Sequence, residues 1–117
     1  MEAEADMNIL DQDVDDVVNW AYHFSPEEVP GAVASVLLVL ADEKETLIRR
    51  MRAASAIQAL PPNQRGQKPE DWGWTPELIV TTIDKILSTM VHAVEQSLRE
   101  RCYGAAHAIL FHGGIKR

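Results

Sequence analysis

The sequence predicts an all-α protein, a compact bundle of four to six helices with a long interhelical loop that contains proline and tryptophan. Three observations carry this expectation. Apolar residues recur at three- and four-residue steps in every long segment, strict alternation is absent, and two hydroxyl-Pro-Glu sequences supply helix starts. A chain of 117 residues with 46% hydrophobic and 25% charged residues suits one globular domain over 1–117, with residues 1–6 as a disordered acidic end.

The first helix follows from Leu10, Val14, Val17, Val18 and Ala21, which form one apolar stripe at helical spacing. Asp11, Asp13, Asp15 and Asp16 then line the solvent side, where the first turn's positive dipole favours them. Asp11, Asp13 and Asp15 also show the one-three-five spacing of a calcium loop. Its sixth position would need glycine and its twelfth a glutamate, but these places hold Asp16 and Tyr22, so no calcium is expected.

Next comes Ser25-Pro26-Glu27-Glu28, with a hydroxyl for the cap, a proline for the first helical position and carboxylates for the dipole. Pro30-Gly31 interrupts it, so the tetrapeptide reads as a separate turn before the main helix. From Pro30 to Leu60 the rhythm is kept by Val33, Val36, Leu37, Leu40, Leu47, Ile48, Met51, Ala54, Ile57 and Leu60, and Pro61-Pro62 ends it. One straight helix over that span would be about 45 Å long. A compact chain of this size has a radius of gyration of only about 13 Å. Either the helix bends near Ala41-Asp42-Glu43-Lys44-Glu45 or another body covers its end.

Thr75-Pro76-Glu77-Leu78 repeats the start signal. Behind it Ile79, Ile83, Ile86, Leu87, Met90, Val91, Val94 and Leu98 keep the rhythm toward Phe111, with a break expected near Cys102-Tyr103-Gly104 and a C-cap at Gly113-Gly114. Two patterns this long suggest a homodimer that covers the overhanging ends.

Between the two patterns lie fourteen residues, Pro61 to Trp74, long for a helix connection. Their Trp72-Gly73-Trp74 end argues against disorder. Trp74 precedes the Thr75 cap and is placed to staple onto the next helix, so at least one ring is expected to close the core. Trp72, between Asp71 and Gly73, is the better candidate for an exposed anchor that meets a partner, with Arg65 and Lys68 beside it.

Charge narrows the function classes. Residues 1–30 hold nine acids and no Lys or Arg; the remaining residues hold nine acids and all 11 bases, so −9 at the front adjoins 11 − 9 = +2 behind it. An acidic front repels phosphates, which disfavours direct nucleic acid binding, and attracts basic protein surfaces. The longest apolar run, Gly31 to Ala41, has 11 residues, against about 20 needed to span a bilayer. The first residues lack a secretory pattern and Cys102 stands alone, so the expected home is a reducing cytoplasm.

Catalytic equipment is sparse. His107 and His112 are five residues apart and fall on different helix faces, and His92 with Glu95 reverses the Glu-x-x-His order of di-iron bundles. No phosphate loop, nucleophile elbow or Cys-x-x-Cys occurs, so neither cofactor nor metal is expected. Cys102 reads as a small packed thiol.

No family motif is present. The profile, a small acidic helical chain without catalytic residues, is similar to that of many phage- or plasmid-encoded inhibitors, anti-CRISPR and other counter-defence proteins among them. This likeness of profile transfers no site residue. The function expected is non-enzymatic: occupation of a basic or apolar surface on another protein by Trp72, Arg65, Lys68 and the acids Asp11, Asp13, Asp15 and Asp16. The alternatives are a small helical enzyme or enzyme subunit with its site across a dimer, and a nucleic acid mimic that uses the acidic helix.

Overall fold

A computed structural model describes residues 7–22, 24–60 and 73–112. A 3-10 turn at Met7–Asp11 leads into five α-helices: α1 Val14–Tyr22, α2 Val29–Ala41, α3 Leu47–Ala59, α4 Pro76–His92 and α5 Gln96–His112. No strand occurs among the described residues. The architecture is therefore the all-α one the periodicity predicts. The expected loop over Pro61–Trp72 lies outside the described residues, as do residues 1–6 and the Gly113-Gly114 cap.

Helix α3 is the centre of the arrangement, packing against α5, α2, α1 and the 3-10 turn, while α4 lies across α2 and α5. Its sequence, LIRRMRAASAIQA, explains the position. Ala53, Ala54, Ser55, Ala56 and Ala59 are buried with Ile57, and short side chains let several helices approach one axis. On the facing α5, Cys102, Ala105, Ala106 and Ala108 are also small and buried. The larger members of the cluster come from the neighbours, Leu10, Val17, Val33, Val36, Leu40, Ile86, Leu98 and Ile109.

The long Pro30–Leu60 pattern divides at the acidic segment, as one of the two expectations had it. Asp42 leaves the helix with extended backbone, and its carboxylate accepts the Lys44 N–H at 2.9 Å. Thr46 then caps α3 by accepting the Arg49 N–H at 3.3 Å. Across the corner the buried Arg50 donates from Nε to the Leu40 carbonyl at 2.9 Å, so a cation occupies the negative end of α2. Ser25–Glu28 is a separate turn, held by the Ser25 N–H and hydroxyl on the Glu28 carboxylate at 2.9 and 3.1 Å.

The second long pattern also divides, though not where glycine suggested. The break falls at Ala93–Glu95, where Ala93 adopts φ −74° and ψ 131°, and α5 runs unbroken through Cys102-Tyr103-Gly104. One cause is visible. Arg99 reaches back with Nη1 to the carbonyls of Ala93 and Val94 at 2.8 and 3.0 Å, satisfying groups that the turn leaves over. Gly104 faces α3, where an added Cβ would stand 3.2 Å from Gln58 Oε1, and the helix carries it at the ~1 kcal/mol propensity cost of a glycine. With both patterns divided, the radius of gyration is 13.0 Å and no rod overhangs among the described residues. The argument for a homodimer from overhanging ends therefore lapses.

Candidate contact surfaces

Of the Trp-Gly-Trp end, Gly73 and Trp74 are among the described residues. Gly73 has φ 85°, and a Cβ there would collide with the Pro26 carbonyl and press on Pro30 and Val29. Gly73 sits against the turn that opens α2 in a backbone conformation that side chains rarely adopt. Trp74 beside it is buried, 1% exposed. Thr75 caps α4 behind it, accepting the Leu78 N–H at 3.1 Å. One loop tryptophan thus closes the core. Trp72, Arg65 and Lys68 lie outside the described residues.

The acidic front separates into two pairs. Asp11 accepts from Arg49 Nη1 at 2.9 Å while Arg49 Nε holds Glu45 at 3.0 Å. The hydrogen bond to Asp11, with the charges of Glu45 and Asp11, raises the Arg49 pKa above its usual value despite some desolvation. Arg52 adds a bond from Nη1 to the Leu10 carbonyl at 3.3 Å. Asp13 is the cap of α1, its carboxylate accepting the Asp16 N–H at 3.1 Å. Asp11 and Asp13 are thus engaged within the chain. Asp15 and Asp16 stand exposed in the first turn of α1.

No group of three or more His, Cys, Asp or Glu able to hold a metal ion occurs among the described residues. Cys102 is buried, and desolvation pushes its pKa up to about 11 although the charge of Arg50 opposes the shift. Such a thiol stays protonated near neutrality and is a poor nucleophile. His92 donates from Nδ1 to the Ser88 carbonyl at 2.9 Å, and Tyr103 and His107 pair on the outside of α5 with ring centres 6.1 Å apart. These histidines are exposed and separate. No described helix is long and apolar enough to cross a membrane.

The surface that sequence reading missed is on α4. Leu87, Val91 and Val94 were assigned to the core rhythm, yet they face solvent with Val80, at 47, 80, 84 and 68% exposed respectively. The same correction applies to Ile48 and, to a lesser degree, Val14. A signal existed in the sequence. At ~100° per residue the apolar residues between Leu78 and Val91 span roughly 220° of the helix, wider than one core-facing stripe, so part of that arc had to be left uncovered. Thr82 and Thr89 are buried. No family model, curated protein or solved structure matches the chain.

Proposed function

We propose that the chain is a non-enzymatic protein-binding module, an inhibitor or adaptor that works by occupying a basic or apolar surface of another protein. The exposed apolar side chains grouped along α4 carry this reading, because aliphatic residues aligned on one helix are more than the scattered exposure normal for a protein surface. Asp15, Asp16 and the masking of charge-paired Asp11 fit a secondary role for the acidic front, which steers encounter with a basic partner. The likeness to small acidic counter-defence inhibitors agrees with binding by occupation. Trp72, with Arg65 and Lys68, is the second proposed anchor.

The test is crosslinking of the purified chain in a native lysate, followed by reconstitution with whatever protein is recovered. A defined complex is expected, with affinity weakened by about 2 kcal/mol or more in Trp72→Ala while the fold survives. Neutralising Asp15 and Asp16 is expected chiefly to slow association at low salt. Recovery of no protein, or turnover of a small molecule by the chain alone, would count against the reading.

A further inference from the structure

We infer that the outward face of α4 is the docking site for an amphipathic helix of another protein whose apolar stripe is bordered by Lys or Arg. This deepens the binding reading above and rests on it. At ~100° per residue, Val80, Asp84, Leu87 and Val91 fall within about 60° of one another, diametrically opposite the buried Thr82, Ile86 and Thr89. The stripe is therefore the side of α4 turned away from its own core. Its two edges differ. On one side the half-buried Ile83 and Met90 continue the apolar surface toward the core; on the other stand the exposed carboxylates Glu77 and Asp84, with Lys85 and His92 further round the helix.

An apolar stripe with one acidic edge selects its occupant by charge. A helix laid along it buries aliphatic side chains against Val80, Leu87 and Val91, and basic residues on its flank meet Glu77 and Asp84. A second copy of this chain fits worse. In an antiparallel symmetric pair the same edge of both helices lies on the same side, so Glu77 and Asp84 of one copy would face the carboxylates of the other. The acids thus argue for a basic foreign helix over self-pairing.

The experiment uses the full chain and two synthetic amphipathic helices, each with a leucine stripe, one edged with lysine and the other with glutamate, read by fluorescence anisotropy. The lysine-edged peptide is expected to bind at least about tenfold more tightly. Replacing Val80 and Val91 together by serine should weaken it about tenfold or more with the melting temperature little changed, since both sites are exposed. Asp84→Lys should narrow or reverse the preference between peptides. Equal binding of both peptides, or binding that survives the Val80/Val91 change and is lost on neutralising Asp15 and Asp16, would overturn the site. So would a mass twice 13.1 kDa that returns to 13.1 kDa in the Val80/Val91 variant, which would make a second copy the occupant. If a protein recovered from lysate binds the Val80/Val91 variant undiminished, this site falls while the general binding reading stands; if no protein is recovered at all, the general reading falls.

Discussion

At Cys102 a single side chain links the core to the solution. In the folded protein the thiol holds its proton up to about 11, whereas its ordinary value is 9.0. The folded state therefore binds a proton that the unfolded chain has already released over that interval, and the corresponding stability is complete below 9 and declines as pH rises toward 11. The stability difference between the natural chain and Cys102→Ala, followed by urea unfolding, is expected to shrink across that window. A difference independent of pH would show that the thiol titrates alike in both states. Individual residues were legible in the sequence where backbone chemistry decided them. Thr75 and Pro76 announced a helix start because each suits a terminal position that few other residues do. For Asp13 and Asp11 the sequence showed charge and spacing but not their partners, since the Asp16 N–H and the distant Arg49 depend on how the chain turns.

Among the helices, local and tertiary causes divide the same way. The corner between α2 and α3 has its own signals in Asp42 and Thr46, and the periodicity argument located it from length alone. Thr46→Ala and Thr75→Ala are each expected to cost ~1 kcal/mol, the usual loss when a cap side chain is removed, measurable by denaturant titration. Losses below about 0.3 kcal/mol would mean that packing alone holds these termini. The corner between α4 and α5 was illegible because Arg99, which satisfies it, lies in the following helix and reads as an ordinary surface cation. The α4 stripe was misassigned for a related reason. Periodicity reports that an arc of the helix is apolar but not which part of it meets the core, and here threonines went inward while valines stayed out.

For the whole molecule, the distribution of side-chain size governs stability. Three helices and the 3-10 turn converge on α3 because most of its buried positions are occupied by alanine and serine, and the facing residues of α5 are little larger. Enlarging one of these, as in Ala54→Leu, is expected to destabilise by about 1–3 kcal/mol through overpacking, seen as a lowered urea midpoint with an unchanged slope. A stabilised variant would reveal unfilled space along the axis. The Arg49–Asp11 pair at the rim contributes less, about 1 kcal/mol or below, because one partner is largely exposed.

The alanines of α3 also determine what an experimenter can learn from this chain. Truncating scans report the importance of a position by what is removed, and at Ala53, Ala54, Ala56 and Ala59 nothing remains to remove. Along this helix only the buried Ile57 and Arg50 would register strongly, and a map drawn from such a scan would understate the alanine positions beside them. Substitutions that add atoms carry the missing information. The same asymmetry bears on sequence drift: at these alanines enlargement overpacks the core and little can be taken away, so the axis varies little while its neighbours can exchange one aliphatic side chain for another.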